Sequence, residues 1–220
     1  MSRRKLHRFA HNEMSPLVVE RGKEWYTTIK GKWKPDFFKN EHPLVLELAC
    51  GKGEYTVGLG QVFPSKNFIG IDIKGDRIAR GSARALEMGL QNVAFLRTGI
   101  QFLEEFFEED EVDEIWLVHP DPQPRDKEEK RRLSNAHFLG LYEKILKSGS
   151  IFHLKTDSAF LYEYTLQVLK TLPQWEVEIQ TDNLYESPVY ADHFSIRTYY
   201  EDYFVKRGHQ IHYIRCRLRK

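Results

Sequence analysis

The chain has 220 residues, of which 41% are hydrophobic and 30% charged, and its formal net charge is +1. This length suits one domain with a sizeable core, and the composition is that of an ordinary globular protein rather than a disordered or fibrous one. No apolar run approaches the roughly 18 residues of a membrane span, and the basic first residues lack the apolar core of a signal peptide. We therefore expect neither membrane insertion nor secretion, and we predict a cytoplasmic protein.

The two cysteines, Cys50 and Cys216, fit no disulfide or zinc-ligand spacing, which agrees with a reducing compartment. Cys50 lies inside a glycine-rich turn, where it serves as a small residue. The nine histidines also lack the spacing of zinc ligands, so we predict no bound metal.

Charged residues are unevenly distributed along the chain. Basic residues are concentrated near residues 3–8, in residues 125–132 and in residues 215–220, and an acidic block occupies residues 104–114. Such separation is typical of a protein that offers one basic face to a polyanion. Solvated tails and a solvated helix face would give the same pattern, so charge alone leaves both interpretations open.

From residue 44 onward, apolar runs of strand length alternate with stretches of helical length. Strands are predicted at 44–49, 67–73, 93–98, 114–119, 150–156, 175–181 and 210–218. Helices are predicted at 54–63, 76–89, 100–108, 134–147 and 158–171. This alternation predicts an α/β fold with a doubly wound, mostly parallel sheet.

The first predicted strand runs into a tight glycine turn, with Glu47 in the strand and Gly51 and Gly53 in the turn. A second strand follows and ends in Asp72, where an acid can accept hydrogen bonds from both hydroxyls of an adenosine ribose. Strand, glycine turn, helix, strand and acid in this order indicate a βαβ unit that binds an adenosine cofactor. A simple turn beside a solvated acid is the alternative.

The spacing of the glycines narrows the choice of cofactor. A dinucleotide site would have a third glycine where Thr56 stands, and no Walker loop is present. The remaining pattern, E-x-x-x-G-x-G, resembles the first motif of class I S-adenosylmethionine methyltransferases. Near the strand end, Glu47 can favour the positive charge of that cofactor.

Four functional candidates directly follow predicted strands: Gly51, Asp72, Asp121 and Asp157. Because the carboxyl ends of parallel strands meet at one edge of a sheet, we expect these residues to line one cleft. Asp121 lies between prolines in PDPQP, a stiff loop followed by basic residues that suits capture of a nucleobase beside a phosphate backbone. For Asp157, a helix N-cap is the alternative role.

Motifs along most of the chain resemble the tRNA (guanine-N7)-methyltransferase family. They are, in order, ELACGKG, GIDI, PDPQPRDKEEKRRL with KTD, and TYYE followed by G-x-x-I, and they span about residues 40–215. The resemblance implies a seven-stranded Rossmann-like sheet with an antiparallel last strand in residues 41–220, after a basic extension or helix in residues 1–40. It also implies methyl transfer from S-adenosylmethionine to N7 of a guanosine in the tRNA variable loop, with tRNA as the partner.

The resemblance also implies roles for individual residues. Asp121 would be the catalytic acid between cofactor and base. The cofactor would contact Glu47, Gly51, Gly53, Asp72, the main chain of Gly99, and Asp121. The substrate would contact Arg125, Asp157, Thr198, Tyr199, Tyr200 and Glu201.

Two positions depart from the family pattern. Gln123 stands where the family usually has tryptophan, and Gly99 stands where it tends to have an acid or amide against the adenine. Neither departure removes a central acid, so we still expect activity. Of the five tyrosines in residues 185–203, we expect at least three to serve packing rather than base stacking.

Two other functions remain open at this stage. A methyltransferase for another nucleophile would share the fold, although HPDPQP differs from the N/D-P-P-Y type of motif that an amine target requires. A non-catalytic tRNA-binding subunit would keep the fold without binding S-adenosylmethionine. We expect either a monomer or a homodimer.

Overall fold

The computed structural model describes residues 3–220, with side chains from Lys5 onward. Eight strands form one sheet: β1 (Val18–Val19), β2 (Leu44–Leu48), β3 (Asn67–Ile71), β4 (Val93–Leu96), β5 (Val112–Val118), β6 (Leu146–Thr156), β7 (Trp175–Thr181) and β8 (His212–Leu218). Seven α-helices surround it: α1 (Arg3–Met14), α2 (Trp25–Thr28), α3 (Glu54–Val62), α4 (Gly75–Glu87), α5 (Ala136–Ile145), α6 (Ala159–Lys170) and α7 (Tyr199–Val205). No helix in the described part of the chain is long and apolar enough to cross a membrane.

The strands are ordered β1-β4-β3-β2-β5-β6-β8-β7, and β8 runs in the direction opposite to the other seven. This arrangement confirms the doubly wound α/β fold and the antiparallel last strand. The count of seven strands was too low, because Val18 and Val19 pair with β4 and add an edge strand. Two residues are too few for strand periodicity to reveal.

The central strands form because their apolar runs are buried on both faces of the sheet. Every residue of β2, β3 and β4 is buried, as expected for parallel strands covered by helices on both sides. The predicted helix at 100–108 was too long, since only Ile100–Glu105 is helical, and it is a 3-10 helix. Phe106 and Phe107 leave it to enter the core, where both are about 1% exposed.

The N-terminal segment packs against the same core as the rest of the chain. Trp33 is fully buried and stacks on Phe107 with ring centroids 5.6 Å apart, while α1 lies along α4. Nζ of Lys23 donates to three main-chain carbonyls between residues 12 and 18, which secures the turn from α1 into β1. A domain boundary near residue 40 stays a prediction.

Candidate active site

The candidate site lies where the chain reverses its direction across the sheet, between the adjacent strands β2 and β5. From β2 the chain proceeds outward through β3 and β4, and then returns to β5 and proceeds to β6 on the other side. In sheets of this kind, ligands bind at the carboxyl ends of the strands beside such a switch point. The loops after β2, β3, β5 and β6 carry the four candidates predicted from sequence, namely Gly51, Asp72, Asp121 and Asp157.

Left-handed backbone is concentrated at this edge. After β2, Ala49, Gly51 and Gly53 have φ of 56°, 56° and 67°, and after β5, His119 and Gln123 have φ of 46° and 47°. Non-glycine residues in this conformation each cost about 1–3 kcal/mol, and such strain is concentrated at functional sites. Ala49, His119 and Gln123 therefore mark both loops as candidates for function.

The two glycines of the turn, Gly51 and Gly53, have different surroundings. A Cβ on Gly53 would lie 2.5 Å from the ring of Phe95, so this glycine permits the close approach of the loop to β4. A Cβ on Gly51 would meet no atom within 4 Å, so the space beside Gly51 is open. The turn thus offers an open cradle on one side and close packing on the other.

Glu47 is buried in β2 and faces the start of α3. Its Oε2 accepts hydrogen bonds from the main-chain N–H of Thr56, at 2.7 Å, and from the Thr56 hydroxyl. Burial raises the pKa of Glu47 to about 8, against the opposing effect of the bonds from Thr56. At neutral pH the free protein therefore holds Glu47 mainly as the neutral acid.

Asp72 joins the glycine turn to the end of β3. Its Oδ2 accepts from the N–H of Gly51 at 2.9 Å and its Oδ1 from the N–H of Lys74 at 2.8 Å. Each carboxylate oxygen has two lone pairs, so both retain acceptor capacity for ligand hydroxyls. The next residue, Ile73, is 62% exposed, and this apolar surface beside Asp72 was not predicted from the sequence.

Gly99 lies at the end of β4 and begins the 3-10 helix, with an extended backbone. A Cβ there would lie 2.6 Å from the amide of Gln101, so the position is closely covered by that side chain. The preceding Thr98 is buried.

The proline loop after β5 exposes Asp121 and buries its neighbour Gln123. Oδ1 of Asp121 accepts from the N–H of Gln123 at 3.3 Å, and the Gln123 carbonyl accepts from Nε of the buried Arg132 at 3.0 Å. The Arg132 guanidinium also lies over the rings of Phe160 and Tyr164, 4.7 and 4.4 Å from their centroids. Arg132 therefore supports the loop from inside and does not face a phosphate.

Arg125 is exposed at the start of a 3-10 helix, Asp126–Arg131. Its Nε donates to Oε2 of Glu128 at 3.0 Å, and Arg131 lies 3.6 Å from the same carboxylate. Glu128 thus neutralises part of the basic run, while Lys127 and Lys130 are exposed on the same helix.

A network of buried charged side chains adjoins Asp157. Oδ1 of Asp157 lies 3.0 Å from Nδ1 of His119, whose Nε2 lies 3.6 Å from Oε2 of Glu201. Oε1 of Glu201 accepts from Nζ of Lys155 at 2.7 Å and from the hydroxyl of Tyr185 at 2.6 Å. Burial opposes ionisation of Glu201, but His119, Lys155 and Tyr185 outweigh it and lower its pKa to about 2.

The four residues of TYYE have different surroundings. The Thr198 hydroxyl accepts from the N–H of Glu201 and caps α7, and the Glu201 side chain is fully buried. By contrast, Tyr199 and Tyr200 are 57% and 48% exposed. Nζ of Lys52, in the glycine turn, lies 4.5 Å from the ring centroid of Tyr199, which places α7 beside this turn.

Two of the five tyrosines expected to serve core or interface packing are packed within the protein, and for the other three an interface role stays a prediction. Tyr185 and Tyr190 pack edge to face at 4.8 Å, but Tyr199, Tyr200 and Tyr203 are all exposed. Helix α7 is only seven residues long and buries Glu201 rather than an aromatic stripe, so its tyrosines remain on the outer face.

Sequence reasoning missed His119 and Lys155. Each is the first residue of a motif that was identified, His119 of HPDP and Lys155 of KTD, but a histidine and a lysine near a strand end carry no signal of burial. The contact partners of these residues lie far away in the sequence, so only the fold brings them together. Among the described side chains, no group of three or more histidines, cysteines or acids is arranged to hold a metal ion.

Comparison with known proteins agrees with this geometry. A family model described as a putative methyltransferase matches residues 41–214. The chain is 51% identical over 209 residues to the tRNA (guanine-N(7)-)-methyltransferase of Porphyromonas gingivalis, covering 94% of this chain and 84% of that one. It is 45% identical over 217 residues to the protein of the same name from Cytophaga hutchinsonii, covering 98% and 97%.

Among solved structures, the 16S rRNA methyltransferase KamB is similar with a TM-score of 0.65 and 11% identity, over 92% of this chain and 96% of that one. At that identity the likeness concerns the fold alone. The sheet order is that of a class I methyltransferase. The two sequence relatives go further, and the chain belongs to the tRNA (guanine-N(7)-)-methyltransferase family.

Proposed function

We propose that this protein transfers a methyl group from S-adenosylmethionine to N7 of a guanosine in the variable loop of tRNA. The main support for the proposal is that two groups of candidate residues lie at the ends of neighbouring strands, at the switch point of the sheet. One group is the glycine turn with Asp72, and the other is the exposed Asp121 with Asp157. The names of the relatives, at 45% and 51% identity over nearly the whole chain, supply the substrate.

The residues after β2 and β3 fit the proposed cofactor. The open space at Gly51 accommodates a ligand against the turn, Asp72 keeps lone pairs for ribose hydroxyls, and Ile73 offers an apolar surface to the adenine. Asp72 and Asp121 are acids at the same edge of the sheet, which suits a cofactor whose sulfonium and ammonium groups are positive, whereas the buried Glu47 supports the start of α3 through Thr56. When bound, the cofactor supplies an activated methyl group.

The proposed reaction needs no general base, because N7 of guanine already carries a free lone pair. The task of the protein is therefore to orient the base and to stabilise charge. Positive charge develops on the purine as N7 is methylated, and carboxylates beside the base gain interaction energy as it does. Asp121 is the proposed catalytic acid, and Asp157 is the proposed acceptor for the N1–H and amino donors of guanine.

Three exposed tyrosines on α7 (Tyr199, Tyr200 and Tyr203) form a proposed stacking surface for unpaired bases around the target. Cations flank it, since Lys52 lies over Tyr199 and Arg207 lies 3.4 Å from the ring centroid of Tyr203. Aromatic rings beside cations are typical of surfaces that bind single-stranded RNA. Arg125, Lys127, Lys130 and Arg131 are proposed contacts to tRNA phosphates. We also propose a cytoplasmic location and either a monomer or a homodimer.

Nucleoside analysis of tRNA tests the proposal. Unmodified tRNA is incubated with enzyme and S-adenosylmethionine labelled in the methyl group, digested to nucleosides and separated by mass. We expect label in 7-methylguanosine. Label in another nucleoside would indicate a different acceptor atom, and absence of label together with tRNA binding would indicate a non-catalytic subunit.

A further inference from the structure

His119 links two carboxylates that lie on different elements of the site. It faces Asp157, in the loop after β6, on one side and Glu201, in α7, on the other. The exposed fraction is 5% for the His119 side chain, 19% for Asp157 and 0% for Glu201. Of these three residues, Asp157 alone has substantial access to the cleft.

Between His119 and Glu201, the two atoms that face each other have no other hydrogen-bond partner. Within the described residues, Nε2 of His119 and Oε2 of Glu201 are both buried and without a hydrogen bond. Their separation of 3.6 Å is too long for a hydrogen bond but lies within the range of an ion pair. A neutral imidazole has one N–H and can serve one acid only, whereas an imidazolium can donate to both. The arrangement is therefore satisfied when His119 carries two protons.

Other titratable groups around His119 act through these two acids or oppose them. Lys155 in β6 pairs with Glu201 and lies 3.0 Å from the hydroxyl of Tyr55, which is 2.9 Å from Nδ1 of His193. Tyr185 donates to Glu201, and His209 acts electrostatically on Asp157. Burial lowers the pKa of His119 and Lys155 opposes protonation, but Asp157 and Glu201 outweigh both and raise the pKa.

We propose that His119 is an imidazolium bridge that holds Asp157 in position for the guanine, with Glu201 and Lys155 as its buried support. This inference rests on the proposed function. His119 and Glu201 are positioning residues, because neither reaches the open cleft. A group with a raised pKa has its full effect below the ordinary value of about 6.5 and loses it as pH rises through the higher value. Methylation should therefore decline on the alkaline side as His119 loses its bridging proton.

The first test measures the protonation of His119 without using activity. The histidines of the full-length protein are titrated by nitrogen-15 NMR. We expect His119 to titrate above the ordinary histidine value of about 6.5, and Asp157→Asn to lower the pKa of His119. If His119 titrates at or below about 6.5, or does not respond to Asp157→Asn, the bridge is wrong.

The second test measures the pH dependence of kcat/KM with tRNA for His119→Gln and for the matched control His137→Gln. We expect His119→Gln to lose at least about tenfold in kcat/KM and to lack the alkaline decline, while S-adenosylmethionine affinity stays unchanged. His119→Asn, which tolerates the left-handed backbone better, should behave alike. If both His119 variants methylate tRNA at the parent rate and keep the alkaline decline, the positioning role of His119 is contradicted. Absence of 7-methylguanosine with the parent protein would instead contradict the proposed function.

Discussion

At the scale of single residues, Glu47 and Asp72 show how neighbouring acids are given different tasks. Glu47 is held by Thr56 in a dry environment that raises its pKa to about 8. Asp72 accepts from two main-chain N–H groups and shapes the glycine turn that the ligand must meet. Both were predicted as cofactor residues, but their hydrogen bonds to the protein could not be predicted from the motif, because the turn geometry decides them.

Asp72→Asn tests the proposed ribose contact while it preserves the size of the side chain. We expect S-adenosylmethionine binding to weaken by roughly tenfold to a hundredfold, since a charge-assisted hydrogen bond contributes about 1.5–3 kcal/mol. Calorimetric titration measures the change, and Asp76→Asn, in the first turn of α4, is the matched control. An unchanged affinity in a folded Asp72→Asn protein would remove Asp72 from the cofactor site.

Asp121→Asn tests the proposed stabilisation of the cationic purine. We expect kcat to fall by about a hundredfold with little change in tRNA affinity, because the interaction strengthens only as charge develops. Single-turnover methylation and tRNA binding are measured on the same preparation. A parent-like rate would show that Asp121 serves the loop structure only.

At the scale of elements, the 3-10 helix at Asp126–Arg131 separates two kinds of basic residue that look alike in KRRL. Lys130 and Arg131 are exposed, whereas Arg132 is 4% exposed and donates to the carbonyls of Gln123 and Arg125. A run of adjacent basic residues does not reveal which of them turns inward. The sequence thus predicted a basic surface near Asp121 but not that Arg132 belongs to the interior.

Paired neutralisation separates these roles. Lys130→Gln with Arg131→Gln should weaken tRNA binding and reduce its salt dependence, since fewer counterions are released, while the stability of the protein stays unchanged. Arg132→Gln, as the matched variant, should instead destabilise the fold by about 1–3 kcal/mol, because the carbonyl of the buried Gln123 loses its donor. Filter binding over a range of salt concentrations and urea unfolding make the comparison. Equal salt slopes for the parent and the double variant would contradict a phosphate-facing Lys130 and Arg131.

Strands β2 to β4 and helices α3 and α4 could be predicted closely because long buried runs and stop signals determine them. The network of His119, Glu201 and Lys155 could not, since its members come from the loop after β5, from α7 and from β6, and no local pattern records their contact. The helix after β4 was predicted too long. Two adjacent phenylalanines in the core interrupt a pattern that reads as helical in sequence.

At the scale of the whole molecule, the near-zero net charge is accompanied by extensive ion pairing across the surface. The basic residues of 215–220, one of the three basic stretches in the sequence, are largely paired: Arg215 and Arg217 pair with Glu178, and Lys220 pairs with Asp110. Asp113, in the acidic block, pairs with Lys34 and Lys147. The positive charge that faces tRNA is therefore expected around the 3-10 helix and α7 rather than at the C-terminus.

Glu47 makes stability depend on pH in a way that one substitution can isolate. Its pKa is raised from 4.5 to about 8, so the folded state retains a proton that the unfolded state has lost, and stability should fall as pH rises from about 4.5 to about 8. Glu47→Gln mimics the neutral acid and should gain, relative to the parent, on the order of a few kcal/mol between pH 5 and pH 8.

Urea unfolding at the two pH values measures this difference. Glu87→Gln, at an exposed position at the end of α4, is a matched control that should leave the pH dependence of the parent unchanged. If Glu47→Gln follows the parent between pH 5 and pH 8, Glu47 is ionised in the folded protein and its buried environment is polar.

The central claim is methylation of one guanine at N7, and chain cleavage tests it most directly. Borohydride and aniline break RNA at 7-methylguanosine, so tRNA treated with this protein and S-adenosylmethionine should break at a single position in the variable loop. Free guanosine and double-stranded RNA should stay unmethylated, because phosphate contacts alone cannot select one base. Incorporation of methyl groups without cleavage, or cleavage outside the variable loop, would contradict the account.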